Sequence, residues 1–303
     1  MLVRVTVAAT AAFVFASPWA GSLAAQEANP KLPPIERNKA AQDDSEPIEP
    51  TERIVLFNGK DFTGLTAWHS EHGYDSPPEL YRVTDGTIHI RGEQDGYVRT
   101  NQRFKNYHVG VEYKWGEHRT NTSGLVRNSG LLLNGSGIDG GAGGKFMASV
   151  ECQLAQGREA DAIGVGGRDK NGDPIRTTFT GIMKVGDDRY PRWNPAEGEP
   201  LKYSGRQFWW SKHDPEFKNQ IDTQGRFDVA SPYGEWTKVE AICWQDTVTL
   251  KVNGHAVMQL YDVHPSSGYI LLQNEKYEVF FRNFEVKPVA EEDRFTKPTR
   301  SDE

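Results

Sequence analysis

One short run of alternating side chains has the residue types for proton transfer and hydrogen bonding. In residues 149–154, the polar Ser149, Glu151 and Gln153 alternate with apolar residues. In a β-strand, side chains two positions apart lie on one face, so these three would share a face opposite a core. A carboxylate can exchange a proton with a bound molecule, while hydroxyl and amide groups hydrogen-bond to it. The run therefore predicts a polar binding face with one acid–base group.

Other polar and aromatic side chains are candidates for the same face. They are Arg127 and Asn128 before one predicted strand, Gln273, Glu275 and Lys276 at the end of another, Arg282 on the last strand, and the aromatic residues Trp115 and Trp210. Taken singly, the polar residues are equally typical of an ordinary sheet surface or turn. Collected on one concave face, they would bind the hydroxyl groups of a sugar. Trp115 or Trp210 would shield Glu151 from water and raise its pKa.

The dominant period of the sequence is two, which predicts an all-β protein. Strands are expected at residues 81–84, 87–90, 107–115, 131–133, 148–154, 181–185, 237–244, 248–252, 256–260, 269–273 and 278–286. Asp85-Gly86 and Asn253-Gly254 are typical hairpin turns. Residues 134–145 and 157–176, rich in glycine, break the pattern. Many short strands without a long amphipathic helix predict an antiparallel β-sandwich of the jelly-roll type.

Composition excludes several classes of protein. The 303 residues include 35 basic and 42 acidic side chains, a net charge of −7, and no basic run, which argues against nucleic acid and anionic membrane surfaces as partners. With 37% hydrophobic residues, the chain is neither disordered nor fibrous. Its length permits two domains, but sandwiches of this size also form one.

The two ends of the chain differ from the middle. Residues 1–25 have an early Arg4, an apolar run and a small-residue exit, which predicts a signal peptide cleaved near Gln26; a membrane anchor is the alternative. Residues 26–52, rich in proline and acids, predict a flexible linker. One domain over residues 53–289 and a charged tail over 290–303 would follow. The mature protein is expected to be secreted or periplasmic, with no membrane attachment after cleavage.

Cysteine and metal signals leave alternatives open. Cys152 and Cys243 both lie in predicted strands, where a disulfide or two buried thiols are compatible with export. Asp169, Asn171 and Asp173 have the spacing of the first ligands of a calcium loop, but a solvated loop is the preferred interpretation because the closing Glu is missing. Zinc-hydrolase, serine-hydrolase and nucleotide-binding motifs are missing from the sequence. No cofactor is expected, with a divalent metal such as Ca²⁺ left open.

Several short motifs, in one order, resemble a known family. They are LFNGKDFTG at 56–64, NSG at 128–130, the ExQ strand at 151–153, GEW at 234–236, VNG at 252–254, and ILLQ at 270–273 followed by FRN at 281–283. The chain is similar over about residues 53–288 to the 3-keto-disaccharide hydrolase domain family. Thr237 stands where the family often has Asn, and Glu275 where many members carry His.

The resemblance implies a concanavalin A-like jelly roll in exported bacterial proteins that act on glycosides oxidised at C3. A C3 ketone acidifies the C2 hydrogen, so a carboxylate can remove that proton and the C1 aglycone can leave. Glu151 is the candidate base and Glu275 the candidate acid or second carboxylate, with Asn128, Gln153 and Arg282 as hydrogen-bond donors. Direct two-carboxylate hydrolysis is disfavoured by Gln156, an amide where laminarinase-type sandwiches place a second Glu. A non-catalytic sugar-binding module is the alternative function.

Overall fold

The computed structural model describes residues 45–298. The predicted signal peptide and residues 26–44 of the predicted linker lie outside this range. The strands are β1 (Ile54–Val55), β2 (Leu65–His69), β3 (Tyr81–Thr84), β4 (Thr87–Ile90), β5 (Asp95–Thr100), β6 (Tyr107–Arg119), β7 (Gly130–Ser136), β8 (Ala148–Ala155), β9 (Arg158–Val165), β10 (Gly167–Arg168), β11 (Pro174–Ile175), β12 (Thr178–Val185), β13 (Pro191–Trp193), β14 (Glu199–Lys202), β15 (Thr237–Trp244), β16 (Thr247–Val252), β17 (His255–His264), β18 (Tyr269–Glu275) and β19 (Tyr277–Pro288). A 3-10 helix spans Glu291–Asp293.

Two antiparallel sheets form a sandwich, which confirms the predicted fold class. The larger sheet has 11 strands, in the order β13-β12-β17-β16-β15-β6-β19-β4-β3, with β1 beside β19 and β14 beside β12. The smaller sheet has six strands in the order β2-β5-β18-β7-β8-β9, and β10 pairs with β11. Each strand predicted from the two-residue period is present. The glycine-rich stretch at 157–176 nevertheless contains β9, β10 and β11, which the sequence pattern did not reveal.

The inner faces of the two sheets form one apolar core. Along β6, Val109, Val111, Tyr113 and Trp115 are buried between the sheets, as their alternation predicts. From the smaller sheet, alternate residues of β8 enter the same core. Burial of apolar surface on both sheets is the main source of their association.

The outer face of the smaller sheet is partly covered by a glycine-rich loop, residues 137–147. A second apolar cluster, which includes Trp68, Tyr97 and Leu132, lies between this face and the loop. Asp139, on the loop, accepts hydrogen bonds from Tyr97 Oη at 2.6 Å and from both Nε and Nη2 of Arg99 at 2.8 and 2.9 Å. The loop is thereby fixed over one end of the sheet, and the other end is left for a site.

The sandwich includes residues that the sequence assigned to the linker and the tail. Ile48 pairs with Phe104 and packs against the core, although the linker was predicted to reach residue 52. In the predicted tail, Asp293 accepts a hydrogen bond from Lys251 Nζ at 2.7 Å, and the Phe295 carbonyl accepts one from Thr247 at 3.1 Å. An isolated apolar side chain among prolines and acids gives too weak a pattern to predict such docking.

The predicted turns follow the expected geometry. Asp85 and Gly86 have φ values of 50° and 72°, and Asn253 and Gly254 have 46° and 82°, as a two-residue hairpin requires. Cys152 and Cys243 are both buried free thiols. Within residues 45–298, no helix has the length and apolar character needed to cross a membrane.

The candidate calcium loop closes the β10–β11 hairpin. Asp169 Oδ1 accepts the backbone N–H groups of Asn171 and Asp173 at 2.8 and 2.9 Å, an arrangement typical of a solvated turn. Among the described residues, no group of three His, Cys, Asp or Glu side chains is placed to hold a metal ion.

Candidate functional site

Strand β8 presents Glu151 and Gln153 on the outer face of the smaller sheet, as predicted. Val150, Cys152 and Leu154 occupy the core, and Glu151 pairs in register with Leu132, whose side chain belongs to the outer apolar cluster. Both polar side chains are nevertheless buried, Glu151 at 5% and Gln153 at 4% exposure. The period of two therefore set their direction, while the loops around the sheet decided their burial.

Gly130 lies where the Gln273 and Glu151 side chains meet on this face, a position that we name the Gly130 notch. A Cβ at Gly130 would lie 2.9 Å from Gln273 Oε1, 2.9 Å from Leu132 Cδ1 and 3.0 Å from Glu151 Oε1, so a larger residue would displace these groups. Gln273 is only 1% exposed, and its Oε1 has no hydrogen-bond partner within residues 45–298. A buried acceptor without a partner is costly. Gln273 Oε1 is therefore an acceptor that a hydrogen-bond donor would satisfy.

Glu275 lies at the end of β18, beside the notch. It pairs across the sheet with Asp95 on β5, and its Oε2 accepts a hydrogen bond from Asn128 Nδ2 at 2.7 Å. Lys145, from the glycine-rich loop, forms an ion pair with Asp95 at 2.8 Å. A cavity of about 140 Å³ opens here, lined by Asp95, Asn121, Leu125, Val126, Asn128, Lys145, Arg158, Glu275, Lys276 and Tyr277. Its volume suits one small polar ring.

The two carboxylates differ in proton affinity from ordinary glutamates. Burial, reinforced by the nearby Asp95 carboxylate, raises the pKa of Glu275 to about 7, although Lys145 and Lys276 oppose the rise. Burial raises the pKa of Glu151 well above its usual range, and the charge of Glu275 raises it further. Both shifts favour the protonated acids, and near neutral pH Glu275 is divided between its two forms.

The structure brings together most of the predicted site residues. Glu151, Glu275, Asn128, Gln153, Gln273 and Lys276 all lie at this end of the outer face. Arg127 lies next to Asn128 in sequence but does not line the cavity. Its Nε donates to Asp222 Oδ1 at 3.1 Å, and its guanidinium stacks on Tyr233 at 4.6 Å. Arg127 therefore fastens the 211–236 segment beside the site.

Three predicted binding residues lie elsewhere, which corrects the sequence interpretation. Trp115 and Trp210 are buried in the core between the sheets, so neither can contact a substrate or shield Glu151 from the cavity side. Their strand phase or loop position puts them on the inner face. Arg282 lies on the larger sheet, where its Nε donates to Glu112 at 2.7 Å and its guanidinium covers Trp236 at 4.0 Å.

Some cavity residues gave no recognisable signal in the sequence. Asp95, Lys145 and Arg158 come from three different segments and meet only through the sheet order. The structure also shows the role of Gln156. Its Oε1 accepts hydrogen bonds from the backbone N–H groups of Arg127 and Asp222, at 3.3 and 3.2 Å. It supports the loops rather than the chemistry, consistent with the argument against a second carboxylate on β8.

The fold and the site together define a β-sandwich protein with a cavity lined by carboxyl, amide and basic side chains. The family model of the 3-keto-α-glucoside-1,2-lyase-like domain matches residues 52–287. The chain belongs to this family, as the sequence motifs indicated. Membership relates the protein to carbohydrate chemistry.

Solved structures with a similar fold are distant in sequence. A proposed glycosyl hydrolase from Parabacteroides distasonis is 18% identical, with 79% of this chain and 94% of that chain covered and a TM-score of 0.46. A second one from the same organism is 15% identical, with coverage of 79% and 100% and a TM-score of 0.44. A carbohydrate-binding module from Bacillus subtilis is 8% identical, with coverage of 73% and 94% and a TM-score of 0.41. No curated protein matches the chain.

Proposed function

We propose that this protein cleaves glycosides whose sugar is oxidised to a ketone at C3, by removal of the C2 proton and loss of the C1 aglycone. The observation that supports the proposal best is the pairing of two unlike carboxyl groups. Glu275 lines the cavity with a pKa of about 7, and beside it burial and the charge of Glu275 raise the pKa of Glu151 well above its usual range. One base and one acid, both available near neutral pH, are what an elimination requires.

The reaction proceeds through an enolate. The Glu275 carboxylate takes the C2 proton, the C2–H electrons form a C2=C3 bond, and the ketone oxygen becomes an oxyanion. The C3=O bond then re-forms, a C1=C2 bond forms, and the C1–O bond breaks. Glu151 gives its proton to the departing aglycone oxygen. Addition of water across the new double bond would complete a net hydrolysis.

This assignment exchanges the two roles expected from the sequence, where Glu151 was the candidate base. A base must be largely ionised at the working pH, and burial together with the charge of Glu275 raises the pKa of Glu151 well above its usual range, which makes it the poorer choice. The hydrogen bond that it accepts from Gln273 opposes this rise without cancelling it. Asn128 and Gln153 remain predicted substrate-binding residues, together with Gln273.

The test is release of the aglycone from a 3-keto glucoside by the full mature protein. Wild type should turn over, and Glu275→Gln should lower kcat/KM by about 10²–10⁴-fold, with a similar loss for Glu151→Gln when the aglycone is a poor leaving group. Glu199→Gln, on the exposed β14, is the matched control and should retain full activity.

Two outcomes would overturn the proposal. A wild-type protein that binds the sugar without releasing aglycone would be a lectin-like module. Cleavage of ordinary, unoxidised glycosides at the same rate would instead favour direct hydrolysis, since that chemistry needs no ketone. Thermal melts of each variant exclude unfolding as the cause of lost activity.

We also propose that the protein is exported through cleavage of residues 1–25, with the domain acting in the periplasm or outside the cell. The argument is the apolar run and small-residue exit of the sequence. Sequencing the N-terminus of protein recovered from the producing cells should give Gln26 or a close neighbour. A mature chain that begins at Met1 would contradict this.

A further inference from the structure

Lys276 has an uncommon backbone conformation at the rim of the cavity. Its φ is 69°, in the left-handed region that non-glycine residues rarely occupy. Its N–H donates to the Gln94 carbonyl at 3.2 Å, and its carbonyl accepts the Thr120 N–H at 3.1 Å. Two hydrogen bonds from separate segments therefore hold the strained residue in place. Such strain is concentrated at functional sites, where it fixes the direction of a side chain.

The ammonium group of Lys276 is not held by a hydrogen bond or an ion pair within residues 45–298. Lys276 lines the cavity directly after Glu275, and its charge lowers the pKa of that carboxyl group. The other cations at the cavity are engaged: Lys145 is paired with Asp95 at 2.8 Å, and Arg158 has interactions of its own within the chain. Lys276 is thus the cavity cation best able to meet a new negative charge.

We propose that Lys276 stabilises the enolate oxygen that forms at C3 when Glu275 removes the C2 proton. This role rests on the proposed function above. The substrate ketone is uncharged, and its oxygen gains charge only during proton removal. A fixed cation therefore stabilises the transition state more than the bound substrate. Proton and electron balance are unchanged, because Lys276 supplies three N–H donors and a charge, and neither gains nor loses a proton.

The strained backbone gives an experiment that separates this role from a structural one. Lys276→Gly removes both the charge and the left-handed strain, so its Tm should equal or exceed that of wild type. Lys276→Met keeps the length of the side chain without the charge, and Lys276→Arg keeps the charge. We expect Gly and Met to lower kcat by about 10²-fold with little change in KM, and Arg to restore part of the loss.

Exchange of the C2 hydrogen isolates the step in question. The probe is 3-keto-1,5-anhydroglucitol, a sugar analogue that has no aglycone, incubated with each variant in D₂O and followed by NMR. Lys276→Met should slow exchange by a factor similar to its loss in kcat. The low-pH limb of kcat/KM should also move to higher pH. The lost cation would no longer oppose the raised pKa of Glu275, while Asp95, Lys145, Arg158 and Glu151 remain around it.

The possible failures are distinguishable. If wild type is active and Lys276→Met or Lys276→Gly keeps a normal kcat and a normal rate of C2 exchange, Lys276 does not stabilise the enolate. The proposed function would then remain intact. An Arg variant no better than Met would also overturn the role of Lys276, because the charge would then not be the cause. A wild-type protein without turnover or exchange would overturn both proposals.

Discussion

Two buried acids at the outer face of the smaller sheet, one on the covering loop and one on strand β8, have opposite surroundings. At one end, Asp139 accepts two hydrogen bonds from Arg99, one from Tyr97 and a fourth from Tyr74 at 2.6 Å. At the other end, burial and the charge of Glu275 raise the pKa of Glu151 well above the usual range. A buried carboxylate is stable when a cation and hydrogen bonds compensate for lost water. Where that compensation is missing, proton affinity increases and the group becomes suited to proton transfer.

The largest expected effect on stability comes from removing Asp139 from its ion pair with Arg99. Asp139→Ala would leave the Arg99 guanidinium buried without its partner, so the free energy of unfolding should fall by about 3–5 kcal/mol. Urea titration measures the change. Combining Arg99→Met with Asp139→Leu should restore most of the loss, because the buried charge is removed with its partner. A loss below about 1 kcal/mol for the single variant would contradict the comparison.

The contribution of Glu275 to the free energy of unfolding should change with pH in the opposite sense from that of a salt-bridged acid. The pKa of Glu275 rises from 4.5 to about 7 on folding, so the folded state binds the proton more tightly. Its contribution to stability is complete below about pH 4.5 and is lost as the pH rises through 7, by about 3 kcal/mol. Glu275→Gln should therefore flatten the fall in stability between pH 5 and pH 8, measured by urea titration at each pH.

The pH dependence of activity should report the ionisation of both Glu275 and Glu151. In wild type, kcat/KM should rise as Glu275 ionises through about pH 7, then fall at more alkaline pH as Glu151 loses its proton. The two apparent values belong to the coupled pair. An activity that is constant from pH 5 to pH 9 would exclude both carboxyl groups from the rate-limiting proton transfer.

A smaller effect on activity should follow from adding a side chain at Gly130. Gly130→Ala would place a methyl group 2.9 Å from Gln273 Oε1 and 3.0 Å from Glu151 Oε1, displacing both. We expect kcat/KM to fall at least about 10-fold, with a change in unfolding free energy near 1 kcal/mol. Gly110→Ala is the matched control, since a Cβ there would have no atom closer than 3.9 Å. Equal activity in the two variants would argue against a role for the notch.

The smallest effect concerns the stability of the Glu151 variant. Gln keeps the shape of Glu151 and carries no charge, so it removes the cost of burying an ionised carboxylate. At pH 4, where Glu151 is protonated in both the folded and the unfolded chain, the stability of the variant should be within about 1 kcal/mol of wild type. As the pH rises to 8, wild type should lose stability relative to Glu151→Gln, because its unfolded chain releases the Glu151 proton more readily than its folded chain. A marked loss at either pH would show that Glu151 stabilises the fold, as Asp139 does.

Several features could be predicted from local pattern alone. The two-residue period gave β6, β8, β15 and β19 with their inward faces, because alternation reports directly which side of a strand is buried. β5 and β9 were missed because they carry charged residues in buried positions: Asp95 and Arg99 in one, Glu159 and Asp161 in the other. Their partners lie on distant segments, so no local pattern could show that these charges are tolerated.

The sequence by itself determined the sandwich, the family and the face on which Glu151 emerges. Only the tertiary structure decided that Glu275 meets Asp95 and Asn128, that Trp115 and Trp210 belong to the core, and that the pKa values of both Glu151 and Glu275 are raised. The physical reason is that strand direction is set by neighbours in sequence, through the alternation of side chains. Proton affinity is set by water exclusion and by charges that arrive from other strands, and these depend on sheet order and loop packing.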